Sequence, residues 1–133
     1  MNTDEKAISG VLGRYQDALN QSNTDEVMKL YASDGVFMPQ HFPSSVGFEA
    51  VRKAYDGVFA AIMLHVKFDI VEIRQITSEW AFARTNSAGR VTVHTTGRES
   101  PEANQELFIF EKIDGNWKIA RYCFCTTNPP PRE

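Results

Sequence analysis

One imidazole, His41, stands among prolines and serines in the stretch LYASDGVFMPQHFPSSVG, residues 30–47. An unperturbed imidazole titrates near physiological pH and can give or take a proton. Read plainly, the same residue is an exposed loop histidine beside Phe42 and Pro43. Tyr15 falls on the apolar side of a helical segment, where its hydroxyl either satisfies a core neighbour or donates to a ligand carbonyl. Farther on, Trp80, Phe82 and Arg84 alternate with alanines, so the arginine shares a strand face with two aromatics. It is either a pocket cation or an edge residue whose stem packs while its head reaches water. Glu106 shares a face with Phe108 and Phe110, and Arg121 shares one with Trp117 and Ile119. Trp80, Arg84, Glu106 and Arg121 are therefore candidate ligand contacts. An inward Glu106–arginine pair would orient a polar substrate or shift a pKa, whereas an outward one would serve dimer packing. Parity along a strand does not say which face is inward.

Other chemistries are absent by type and spacing. The three histidines are isolated, without an HxH or HxxxH pair, which excludes the usual metal-ligand patterns. His94 lies in the strand-like run Val91 to Thr96. There is no glycine-rich phosphate loop, since Gly10 and Gly13 sit inside a helical segment. No metal, nucleotide, flavin or other cofactor is expected. Cys123 and Cys125 alternate on a strand, away from any helix N-terminus that would activate a thiol, so they read as packing residues in a reducing, cytoplasmic setting. A net charge of −3 without a basic run gives no reason for nucleic-acid binding. No apolar run approaches the roughly 20 residues that cross a bilayer, and the opening MNTDEKAIS lacks a signal-peptide pattern, so no membrane association is expected.

The elements that must position these groups are readable from period. At 133 residues the chain suits one domain, 1–133, with 127–133 as a flexible tail. Helical spacing predicts helices over residues 4–21, 25–31 and 48–62, the second ended by Ala32-Ser33-Asp34-Gly35. Val36-Phe37-Met38 is a short strand stopped by Pro39. Strand-like runs follow at 66–76, 79–96, 104–113 and 116–126, with Asn86 to Arg90 as a turn or a bulge. Asp114-Gly115-Asn116 is a hairpin signal that makes the last two runs antiparallel neighbours. Helices first and hairpins afterwards predict an α+β fold. Its curved antiparallel sheet, closed by three helices, leaves a cone whose open end suits a ligand.

Three segments carry a family resemblance: Gly13-Arg14-Tyr15, Leu30 to Phe37 with Gly47 and the helix after it, and Asp114 to Ala120. Together they resemble the nuclear transport factor 2-like superfamily, which includes ketosteroid isomerase and SnoaL-like polyketide cyclases. Gly97 through Glu106 to Phe108, and the ending Arg121-Tyr122-Cys123-Phe124, are most similar to its SgcJ/EcaC-type SnoaL-like branch. Ketosteroid isomerase uses an aspartate base, a tyrosine and a protonated aspartic acid. By motif these fall on Met38–Pro39, on Tyr15 and near Leu107, so only the tyrosine survives and steroid isomerisation by that route is not expected. Two functions remain open, because this scaffold hosts enzymes, binding modules and assembly domains. One is a cofactor-free isomerase, cyclase or hydratase acting on an apolar substrate, with Tyr15 and His41 as its acid/base groups. The other is a ligand-binding or dimerisation module without turnover. A homodimer through the broad sheet face is expected on either view, with Val91, Val93, Phe108, Phe110, Tyr122 and Phe124 supplying apolar surface from one face or the other.

Overall fold

The structure is a computed structural model that describes residues 1–128. The chain opens with helix α1, Thr3–Asn20. Asn2 starts it as a capping box: its side chain accepts from the Glu5 backbone N–H at 2.8 Å, and the Glu5 carboxylate accepts from the Asn2 N–H at 3.1 Å. The predicted stripe Ile8, Val11, Leu12, Tyr15, Ala18 and Leu19 is buried throughout. Burial of a side chain this size contributes about 1.5–3 kcal/mol, which a short helix needs in order to persist.

Helix α2 is shorter than its periodicity implied, Thr24–Met28. Strand β1 begins at Tyr31 and runs to Met38, taking in the Ala32–Gly35 segment expected to be a helix stop. Gly35 is forced by crowding, because a Cβ there would lie 2.7 Å from the Tyr31 ring and 3.0 Å from the Ala32 carbonyl oxygen. A two-residue strand β2, Ser45–Val46, pairs with β1 inside the stretch expected to be irregular. Helix α3, Phe48–Ala61, follows as predicted.

Four long strands complete the chain: β3, Ile62–Gln75; β4, Trp80–Val93; β5, Glu99–Ile113; and β6, Asn116–Thr126. The sheet order is β2-β1-β6-β5-β4-β3. The three hairpins are antiparallel as expected, but β1 lies parallel to β6, making the sheet mixed. The strands are longer than their apolar runs, because 62–65 and 99–103 are carried by ladder bonds to neighbours rather than by burial. Asn86 to Arg90 is neither turn nor bulge: β4 passes straight through it. Here a Cβ on Gly89 would sit 1.9 Å from the His65 carbonyl oxygen, so only glycine lets β3 and β4 approach so closely. His94 lies just beyond the end of β4, in a turn.

Helix α1 spans the open sheet against β3. Asn20 makes two bonds with the Val66 backbone, at 2.9 and 2.8 Å, and Gln16 accepts from the Phe68 N–H at 2.8 Å. At the narrow end Asp4 accepts from Trp117 Nε1 at 2.9 Å and from Lys112 Nζ and Gln75 Nε2, both at 3.1 Å. These contacts set the helices across the concave face and leave the other end of the cone as its mouth. The tail expected from residue 127 falls, beyond Asn128, outside the described residues.

Candidate functional site

The concave face is chosen by size. On β4 the buried positions are Ala81, Ala83, Thr85, Ser87 and Val91, while Trp80, Arg84 and Asn86 point outward. The small residues face in because large ones on β5 need the room: Ala83 pairs with Phe108 and Ala81 with Phe110. From narrow end to mouth the inner positions of β5 are therefore Phe110, Phe108, Glu106, Asn104 and Glu102. On β6 the register shifts by one residue at Ala120, between the pairs Ile109–Arg121 and Phe110–Ile119. That bulge reverses parity. Trp117, Ile119, Tyr122 and Phe124 face inward, whereas Arg121, grouped by period with Trp117, faces solvent.

Glu106 is 5% exposed and is built into the sheet. Its register partner Thr85 donates to Oε1 at 2.5 Å, and Ser87, the next inward residue on β4, donates to Oε2 at 2.5 Å. Burial pushes its pKa above the ordinary carboxyl value, and the two hydroxyls pull against that.

One step deeper, three phenols meet although they come from different elements. Tyr55 of α3 places its oxygen 2.6 Å from that of Tyr15 and 2.7 Å from that of Tyr31, with all three side chains buried. Tyr15 packs edge-on against Phe108 and Tyr122, each 5.5 Å away between centroids. Burial pushes the four phenols Tyr15, Tyr31, Tyr55 and Tyr122 above their usual range, and the charge of Glu106 adds to this at Tyr15 and Tyr122. At neutral pH they are proton donors in hydrogen bonds, not bases. The rings fill the narrow part of the cone: Phe37 stacks on Tyr55 at 4.5 Å, and Tyr122 on Phe108 at 4.1 Å. Toward the mouth the lining is looser, with Phe59, Leu64, Phe68 and Phe124 only partly buried.

The predicted residues are thus only partly brought together. Tyr15 and Glu106 both lie inside the cone, near enough for the charge of Glu106 to raise the Tyr15 pKa, but Glu106 bonds to Thr85 and Ser87 and Tyr15 to Tyr55. Trp80, 41% exposed, and Arg84 lie on the outer face, where Arg84 Nε donates to Glu72 at 2.7 Å; neither arginine meets Glu106. Arg121 caps backbone carbonyls, with Nη1 donating to Asp34 at 3.2 Å and to Ala120 at 2.7 Å. His41 is exposed at a left-handed φ of 72°, its Nε2 2.7 Å from Gln40 Nε2. Gln40 in turn accepts from the Thr126 backbone, tying this loop to the end of β6. Leu107, near which the resemblance puts the second isomerase acid, is 39% exposed on the outer face, and the buried carboxyl beside it in sequence is Glu106. Thr85, Ser87, Tyr31 and Tyr55 were not singled out. The alternation of small and hydroxyl residues with Trp80, Phe82 and Arg84 was the available signal for the first two; nothing local marks the tyrosines.

The SnoaL-like domain family matches residues 12–122, most of the chain. The chain belongs to the SnoaL-like family. A ketosteroid isomerase-like protein from Erwinia carotovora atroseptica has a structure similar to this SnoaL-like chain, with a TM-score of 0.93 and 32% identity over 97% of this chain and 100% of that one. A domain of unknown function with a cystatin-like fold, from Nostoc punctiforme, has a TM-score of 0.78 at 16% identity, covering 97% and 80%. A type 2 hexachlorocyclohexane dehydrochlorinase reaches 0.81 at 11% identity, covering 94% and 86%; these two share the fold. No curated protein matches the chain. Among the described residues no cluster of three metal-ligating side chains occurs, and no helix is long and apolar enough to cross a membrane. A polar cleft of about 430 Å³ lies outside the cone, between the α1–α2 turn and α3, lined by Asn23, Asp25, Arg52 and Asp56 among others.

Proposed function

We propose that this SnoaL-like protein binds a small, largely apolar molecule at the mouth of the cone, with its polar end at Glu106 and Tyr15. The observation that carries this reading is a carboxyl group held nine-tenths buried, with no cation beside it among the described residues, near a chain of tyrosine hydroxyls. Three hydroxyls joined by two hydrogen bonds use two of their three protons. Either oxygen of each bond can donate; the proposed order, Tyr31 to Tyr55 to Tyr15, leaves the spare proton on Tyr15, polarised by the chain behind it and offered to a ligand oxygen. Glu106 is the group able to exchange a proton. Its raised pKa brings it toward the working pH of a general acid or base. Partly buried Phe59, Leu64 and Phe124 give way to admit the apolar body.

Turnover on this site is a cofactor-free isomerisation, cyclisation or elimination, in keeping with the name of the Erwinia relative. The base position of ketosteroid isomerase is here Met38–Pro39, so the proton traffic passes through Glu106. The same network without turnover makes a ligand-binding module, which the filled narrow end of the cone favours. Calorimetric titration with 2-naphthol tests the common core of both. Tyr15→Phe and Glu106→Gln each weaken binding about 10-fold, the worth of one good hydrogen bond. Equal affinity in both variants and wild type removes the site from the interior.

The outer face of the sheet supports a homodimer. Met63, Trp80 and Leu107 keep 37%, 41% and 39% of their surface exposed there. Phe108, Phe110 and Tyr122 are spent inside the cone and contribute nothing to it. Trp80 and Arg84 then serve contact between copies instead of the ligand, and gel filtration of Trp80→Ala at several concentrations shows a smaller species than wild type.

A further inference from the structure

Resting on that reading, we infer that the polar end of the ligand carries, beside the oxygen that Tyr15 meets, a protonated amine paired with Glu106. The charged side chains on the inner face of β5 near the mouth are both acids, Glu106 and Glu102. The basic residues of the long strands are turned away. Lys67, Arg84 and Arg90 project outward from β3 and β4, and Arg84 and Arg90 are already paired with Glu72 and Glu99. The inward Lys112 is held by Asp4 at the closed end, six residues and about 20 Å along the strand from Glu106. Among the described residues, then, a buried carboxyl has no counter-cation.

The hydrogen bonding around Glu106 favours the ionised form. Two hydroxyls donate, one to each oxygen, and an ionised carboxylate accepts at both. A carboxylate offers about four acceptor positions, so roughly two stay open for a ligand donor. An ammonium supplies up to three donors and the missing positive charge. A carboxylate ligand would bring a second negative charge into a low-dielectric site that holds nothing to neutralise it.

The test uses three probes with one apolar body: naphthalen-2-ylmethylammonium, 2-naphthol and 2-naphthoate, titrated calorimetrically into the full chain at neutral pH. Wild type is expected to bind the ammonium about 100-fold more tightly than the naphthoate. In Glu106→Gln, which keeps shape and both hydroxyl partners, that ratio collapses to within about 10-fold, while naphthol weakens by only the about 10-fold expected for one lost hydrogen bond. Naphthoate binding as tightly as the ammonium, or an ordering unchanged in Glu106→Gln, overturns the inference and leaves the interior site standing if naphthol still responds to Phe124→Ala. Absence of binding by all three probes overturns both.

Discussion

Replacing Tyr55 with phenylalanine removes a single oxygen from the middle of the hydroxyl chain, and the structure sets what that costs. Both partners lose a bond, of 2.6 Å to Tyr15 and 2.7 Å to Tyr31, and those residues are 1% and 4% exposed, so water does not readily replace it. A buried polar group left without its partner costs about 1–3 kcal/mol, which makes the expected loss roughly 2–6 kcal/mol for the two together. No cavity forms, because the ring and its 4.5 Å stack on Phe37 are kept. Tyr31→Phe is the internal control: it cuts one bond and leaves Tyr55 joined to Tyr15, for about 1 kcal/mol. Urea unfolding of the three proteins at neutral pH measures both, with an unchanged m-value showing that only stability moved. If Tyr55→Phe loses no more than Tyr31→Phe, the three hydroxyls are not a connected chain and the polarised Tyr15 proton goes with it.

Glu106→Gln is expected to be more stable than wild type at neutral pH and to lose the advantage in acid. A carboxyl whose folded pKa is raised contributes stability that is present below its unfolded pKa and lost as pH rises through its folded pKa, so the gap opens upward from about pH 4.5. Each tenfold displacement of the acid constant corresponds to about 1.4 kcal/mol, read from denaturant midpoints across pH; a gap that does not change with pH would contradict the assignment. Gly89→Ala forces a Cβ against the His65 carbonyl oxygen at 1.9 Å and should cost about 3 kcal/mol or more, or separate β3 from β4, measured by thermal unfolding. Arg84→Ala breaks an exposed pair with Glu72 and should change stability by less than about 1 kcal/mol, with 2-naphthol affinity unaltered, because the residue is on the wrong side of the sheet.

Much of this architecture was already legible in local pattern. The 3.6-residue stripe of α1, the Asp114-Gly115 hairpin and the alternation along β4 and β5 depend on neighbours a few residues away, and those elements stand where the pattern puts them. Tyr15 and Glu106 stand out as candidates for the same reason, each being a polar group in an otherwise apolar stripe. What period could not supply was the choice of face. That depended on volume across the β4–β5 pair, where alanines turn inward to accommodate Phe108 and Phe110 and so carry Trp80 and Arg84 to the outside. A one-residue bulge at Ala120 likewise sent Arg121 to solvent, and a bulge has no signature in a two-residue repeat. The tyrosine chain is a purely tertiary object. Its members lie 24 and 40 residues apart and meet because α3 crosses the concave face opposite α1 and the start of β1, bringing together hydroxyls that no stretch of sequence holds near one another.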